Sequence, residues 1–200
     1  MKVNVYTLEI KRRLRIMDSN VEEDRVESIN HEIYFYSQVN RNSIYDFVIL
    51  LKNEEEYQII KALKYDRLPD PVRIHINSEG GYIYEAFAAV DNILKCKVPT
   101  VSIIEGRASS AASLMAIVCS KRFIHRYSKV LIHQLSNGLS GNHKQLNDQI
   151  SNLDLDMKQM KDIYMKYTSI KPKELKKLIA NDLMLDSSKC VKLGVVDGVL

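Results

Sequence analysis

The sequence predicts an α/β fold organised around a parallel sheet. Two observations carry this expectation. Runs rich in β-branched and aromatic residues exchange repeatedly with segments of helical periodicity. The two sharpest turn signals, INSEGG (76–81) and EGRASSAAS (105–113), both fall where such a run gives way to a helix. Strands joined through helices by right-handed crossovers are the expected connection. With 200 residues and 46% hydrophobic content the chain can bury a substantial core, and only 4 prolines and 7 glycines argue against extended disorder.

Taken in order, EIYFYS (32–37) reads as the first strand. In SIYDFVILLKNEEEYQIIKALK (43–64), Ile44, Phe47, Val48 and Leu51 recur at helical spacing, with Ser43 as the expected N-cap. VRIHIN (72–77) reads as a strand, YEAFAAVDNILK (84–95) as a helix and VPTVSII (98–104) as a strand. SLMAIVC (113–119) then reads as a buried helix and KVLIH (129–133) as another strand. After the polar loop LSNGLSGN, a long helix is expected from His143 to about Ile170. Its apolar stripe, Leu146, Ile150, Leu153, Met157, Met160 and Ile163, is longer than a small core can cover. KPKELKKLIA gives a short helix with Pro172 at its start, and SSKCVKLGVVDGVL a capped helix ending at Gly194 followed by a final strand.

Composition narrows the function classes. The net charge of +4 is modest, and the one basic cluster, KRRLR (11–15), is soon followed by the acidic VEEDRVE. No recognition motif or aromatic platform accompanies it, so it reads as a solvated face and no nucleic-acid partner is expected. The apolar runs fall short of the roughly 20 residues that span a bilayer, so no membrane association is expected. Cys96, Cys119 and Cys190 stand singly, which suits a reducing, cytoplasmic setting and half-buried or buried thiols. The five histidines lack ligand spacing, and no metal or cofactor is expected.

The two loop motifs carry the chemistry. Gly80 and Gly81 place a backbone without Cβ at a strand-to-helix junction, where free N–H groups can face an anion. An ordinary tight turn is the other reading, and the lysine of a phosphate loop is missing. Both loops should open at the carboxyl ends of parallel strands in the same sheet, the crevice in which open α/β sheets build sites. Taken singly, Ser110 reads as a helix-start residue, and the G-x-S-x-G elbow of α/β-hydrolases is absent.

Together, in this order, the motifs resemble those of the ClpP family, the proteolytic subunit of the Clp protease. INSEGG is similar to I-N-S-P-G-G, GRASSAAS to the nucleophile motif G-x-A-A-S-M-G-A, KVLIHQL to R-V-M-I-H-Q-P and LGVVDGVL to a terminal Y-G-L-V-D. The resemblance implies the ClpP/crotonase-like fold of repeated β-β-α units with a protruding handle helix. It covers residues 32–200, with a head over about 32–134 and 171–200 and the handle over about 135–170; residues 1–31 form a divergent N-terminal segment.

By position, the resemblance makes Ser110 the nucleophile and His133 the general base. Asp182 becomes the third triad member, twelve residues before Gly194, while Asp186 reads as a helix cap. The backbone N–H groups of Gly81 and Ala111 take the oxyanion-hole role. Ser109 replaces a family alanine, and Ser109 and Ser113 are expected to serve only as small residues beside the sheet. The implied activity is serine endopeptidase cleavage of unfolded polypeptides or peptides inside a homo-oligomer of stacked heptameric rings, a tetradecamer, fed by an ATP-dependent unfoldase.

The departures have consequences. Glu79, Ala111, Ala112 and Leu135 replace residues that do not react. Arg73 and His75 stand at outward-facing strand positions where bacterial members carry aromatics of the unfoldase-docking pocket, which counts against docking by a standard unfoldase. Such divergence is similar to that of ClpP-like processing proteases of phages and other viruses. Two further readings stay open: a catalytically inert ring subunit, and a crotonase-like acyl-CoA enzyme, which shares the fold and the backbone oxyanion hole.

Overall fold

The computed structural model describes residues 24–136, Gly138 and 140–200. The KRRLR cluster and most of the 1–31 segment lie outside the described residues. Eight strands form one sheet: β1 (Arg25–Ile29), β2 (Glu32–Tyr36), β3 (Val72–Ser78), β4 (Thr100–Ser109), β5 (Lys121–Ile124), β6 (Lys129–Leu131), β7 (Met184–Leu185) and β8 (Gly198–Val199). The order is β1-β2-β3-β4-β5-β8, with β6 paired to the far part of β4 and β7 to β6. Pairing is parallel from β2 through β5 and on to β8, and antiparallel only in β1–β2 and β6–β7. The expected α/β class and parallel sheet are therefore present. Among the described residues the sheet begins at Arg25, within the 1–31 segment. Asn30 and His31, at φ 52° and 64°, make the tight turn that returns β1 onto β2.

Among the described residues six helices connect the strands: α1 (Arg41–Lys64), α2 (Ile83–Lys95), α3 (Ala111–Ile117), α4 (His143–Tyr167), α5 (Pro172–Ile179) and α6 (Ser187–Lys192). The N-cap of α1 is Asn40 rather than Ser43. The Asn40 side chain accepts from the N–H groups of Asn42 and Ser43, and the Ser43 hydroxyl accepts from Asn40 N at 3.0 Å. Ser43 is thus the reciprocal member of a capping box, a role its spacing from Asn40 permits. All seven residues of α3 are buried, so this short helix lies at the centre of the core.

The path of β4 positions the site. Its first half pairs with β5 and its last three residues, Arg107–Ser109, pair with β6. Between them the register with β3 shifts, from Ile76 opposite Ile104 to Ser78 opposite Ala108. Gly106 sits in this irregularity at φ 75°, and a Cβ there would meet the Asn77 side chain at 2.9 Å. A glycine is needed where the strand bends from one partner to the next.

Only the C-terminal half of α4 packs on the body, through Met160 and Tyr164. Ile150 of the stripe remains 46% exposed, so the stripe is not covered at its N-terminal end. Among the described residues no helix is long and apolar enough to cross a membrane.

The open face of the sheet differs from expectation at His75. Its side chain is buried, stacked on Tyr34 with ring centroids 4.3 Å apart. Nδ1 lies 2.8 Å from Glu105 Oε1 and Nε2 lies 3.0 Å from Glu32 Oε2. Arg73, exposed as expected, is ion-paired to Glu32 at 2.9 Å and so does not present an unpaired charge. Tyr36 donates to Glu105 Oε2, and His125 Nε2 approaches Glu105 Oε1 at 3.4 Å. Burial alone would push the Glu105 carboxyl up, but the bonds from Tyr36 and His75 and the charges of both histidines together hold it below the usual glutamate value of 4.5. A depressed folded value means that this carboxylate stabilises the fold above the unfolded value and that the contribution fades as pH falls through the lower folded value. Thermal unfolding followed from pH 6 to pH 3 should therefore show a loss of Tm below about 4.5 that is shallower in Glu105→Gln; identical slopes in the two proteins would refute the linkage.

Candidate active site

The loop after β3 and the loop after β4 meet at the carboxyl ends of their strands. Ser110 stands between β4 and α3 with φ 54° and ψ −125°, outside the helical and extended regions. A non-glycine residue held there costs about 1–3 kcal/mol, and such positions cluster at functional sites. The turn is fixed from both sides: Ser110 N donates to Leu131 O of β6 at 2.8 Å, and its carbonyl accepts from Ser113 N at 3.0 Å. Gly80 approaches so closely that a Cβ would meet Ser109 O at 2.5 Å and Ser110 Cβ at 2.8 Å. Gly81 is clamped on the other side, because Val39 N donates to Gly80 O and Val39 O accepts from Tyr82 N. In this ladder the N–H of Gly81 itself points away from Val39. Ala111 is the first residue of α3, where N–H groups have no intrahelical partner.

His133 follows β6, and the next residue anchors the segment by donating from Gln134 N to Ile179 O of α5 at 3.0 Å. Ser110, His133 and Gly81 line one cleft of about 410 Å³, walled by Tyr82 and Tyr84 at the start of α2, Leu135 and Ser136, and Leu153 and Asp156 of α4. Asp182, in the loop before β7, places Oδ1 3.8 Å from His133 Nδ1, an ion-pair separation longer than a hydrogen bond, and its side chain is 82% exposed. No hydrogen bond joins Ser110 Oγ to His133. Asp186 is the N-cap of α6, accepting from Lys189 N at 2.8 Å. The structure thus brings Ser110, His133 and Gly81 into one cleft and sets Asp182 behind the histidine without closing the chain of bonds. Burial pushes the thiols of Cys119 and Cys190 up to about 12, which leaves neither as a competing nucleophile.

The neighbouring serines differ from each other. Ser109 is buried, and its hydroxyl has no hydrogen-bond partner. Ser113 is more than the small residue expected from sequence. Its hydroxyl donates to Ser110 O at 2.6 Å and lies 2.5 Å from the Tyr164 hydroxyl of α4, which donates to it in turn. Burial raises the Tyr164 phenol above its ordinary value, keeping it protonated for this role. Neither periodicity nor motif singles out Tyr164; only the depth of Ser113 in the core reveals the pairing. Removing an orphaned hydroxyl should help and orphaning one should hurt. Ser109→Ala is therefore expected to stabilise by up to about 1 kcal/mol, and Ser113→Ala to destabilise by about 1–3 kcal/mol. In a denaturant double-mutant cycle, Ser113→Ala combined with Tyr164→Phe should cost less than the two single losses added together; simple additivity would deny the pairing.

A model of the Clp protease family matches residues 27–200. The relatives include the ATP-dependent Clp protease proteolytic subunit 1 of Chlamydia caviae, 28% identical over 148 residues, which cover 70% of this chain and 78% of the relative. The same-named protein of Protochlamydia amoebophila is 28% identical over 150 residues, 72% of this chain and 73% of its own. The ATP-dependent Clp protease proteolytic subunit of Deinococcus radiodurans is 30% identical over 131 residues, 64% of each. With nearly all of the described residues inside the matched region, the chain belongs to the Clp protease family.

Proposed function

We propose that the protein is a serine endopeptidase that cleaves peptide bonds of unfolded polypeptides through Ser110, His133 and Asp182. The observation that carries this reading is the strained turn at Ser110, which opens on the same cleft as His133 and the Gly80–Gly81 loop. Ser110 Oγ attacks the scissile carbonyl carbon as His133 Nε2 takes its proton. His133 Nδ1–H faces Asp182, which fixes the tautomer and stabilises the imidazolium. Charge developing on the carbonyl oxygen is met by the N–H groups of Gly81 and Ala111, oriented in advance by the Val39 ladder and by the start of α3. Collapse expels the amine with the proton from His133. Water, deprotonated by the same imidazole, then releases the acyl group and restores Ser110.

This assignment predicts that a fluorophosphonate labels the protein at Ser110, and that Ser110→Ala abolishes both labelling and peptide cleavage. Ser110→Ala and His133→Ala should each lower turnover by about 10⁶, Asp182→Asn by about 10⁴, and the double variants by little more, because the three act as a unit. Labelling that moves to Ser109, or a silent Asp182→Asn beside a crippled Asp186→Asn, would overturn it. The labelling also separates this reading from an inert subunit and from an acyl-CoA enzyme that uses the backbone donors alone.

We further propose that the chain works as a homo-oligomer, two stacked heptameric rings joined through α4. The support is the incompletely covered stripe of that helix, with Ile150 about half exposed. Native mass measurement at micromolar concentration should show the tetradecamer, and Ile150→Asp should shift the population toward smaller species; a wild-type monomer alone would refute it. The relatives' names couple them to ATP. On this chain an apolar docking loop reaching β3 would meet the Arg73–Glu32–His75–Glu105 network, and stripping water from those charges opposes such docking.

A further inference from the structure

Asp156 stands out in the wall of the cleft. It lies on α4 with its side chain buried, 8% exposed, yet it lines the same space as Ser110 and His133. Oδ2 accepts from the Tyr84 hydroxyl at 2.8 Å. That bond raises the Tyr84 phenol above its ordinary value, as donation to a carboxylate does. Oδ1 has no hydrogen-bond partner among the described residues, and no lysine or arginine among them pairs with Asp156. Nor is that oxygen sealed in protein, and Asp156 lines the cleft. Taking a carboxylate largely out of water with one neutral donor and no counter-charge is costly. A carboxylate so placed favours a cationic partner.

The cleft is small enough to say where that cation would come from. A volume of about 410 Å³ corresponds to a sphere of roughly 9 Å diameter, within reach of one long side chain projecting from the residue whose carbonyl Ser110 attacks. Leu135 and Leu153 line the path and suit the methylene stem of such a side chain, while its charged end reaches Oδ1. An apolar side chain of similar length would cover the carboxylate without neutralising it, so rejection adds to attraction.

The geometry points to Asp156 as the specificity-determining residue of the site, selecting substrates with lysine or arginine on the acyl side of the scissile bond. This rests on the serine-peptidase reading above. The test uses the intact, assembled protein and a set of fluorogenic peptides identical except for lysine, arginine, leucine or glutamate at that position. For the wild type, kcat/KM should be at least tenfold higher with lysine or arginine than with leucine, and lowest with glutamate. Asp156→Asn keeps the shape and the Tyr84 bond, and should lower the lysine-to-leucine ratio at least tenfold. A wild-type preference for leucine overturns the inference without any variant, and so does a ratio unchanged in Asp156→Asn. If Ser110 is labelled by fluorophosphonate and the preference is flat or reversed, the inference fails alone. If neither labelling nor cleavage of any peptide occurs, the serine-peptidase reading fails and takes this one with it.

Discussion

The left-handed backbone at Ser110 is the constraint around which the neighbouring structure is arranged. A serine at φ 54° and ψ −125° does not hold itself there, and the restraint comes from several directions. Leu131 of β6 fixes its N–H, and β6 can lie alongside the end of β4 only because that strand bends at Gly106 and leaves β5. Ser113 fixes its carbonyl and is itself held by Tyr164, so the long helix α4 reaches the turn through two hydroxyls. Gly80 is required because any side chain would strike Ser109 and Ser110. The glycines at 80 and 106 and the serine at 113 therefore express one requirement, a sharp turn that projects a side chain from the end of a parallel strand.

The opposite region of the sheet shows how a polar cluster can occupy a buried position without an unpaired charge. His75 has a carboxylate at each ring nitrogen and Tyr34 on its face, while Arg73 shares Glu32 with it. Each member of such a network loses more by standing alone than it gains by any one contact, so single substitutions there act on the whole cluster. The same physics makes the surface selective. A partner that replaces water over these strands must supply polar groups of its own, whereas an apolar loop would leave the network desolvated and unrewarded.

The sequence made the alternation of strand and helix legible, because EIYFYS, VRIHIN and VPTVSII carry β-branched runs and the intervening segments carry helical spacing. β1, β5 and β7 escaped notice. RVESI and KRFI are short and charged, and a two-residue strand such as Met184–Leu185 exists only through its partner β6. The resemblance of the ordered motifs to those of the Clp protease family singled out Ser110, His133, Asp182 and the Gly81 and Ala111 backbone positions as expected site residues, whereas each residue taken singly has an ordinary structural reading. His75 reads as outward from strand alternation alone; its burial comes from Glu32, Tyr34 and Glu105 on neighbouring strands, a long-range effect. Tyr164 and Asp156 were invisible for the same reason. Both sit on a charged helix whose contacts with α3 and with Tyr84 depend on how α4 packs on the body.

Helix α4 accordingly divides along its length. Its C-terminal part, at Met160 and Tyr164, is buried and ties the helix to the core beneath the Ser110 turn. One to two turns earlier, Leu153 and Asp156 form a wall of the cleft. Earlier still, Ile150 points an apolar side chain away from the subunit. Because a helix is stiff over such distances, the three regions share one rigid frame. Substitutions along α4 should thus separate by position into effects on stability, on the occupant of the cleft and on association. The apolar stripe looks continuous in sequence, but the structure gives its successive turns different neighbours.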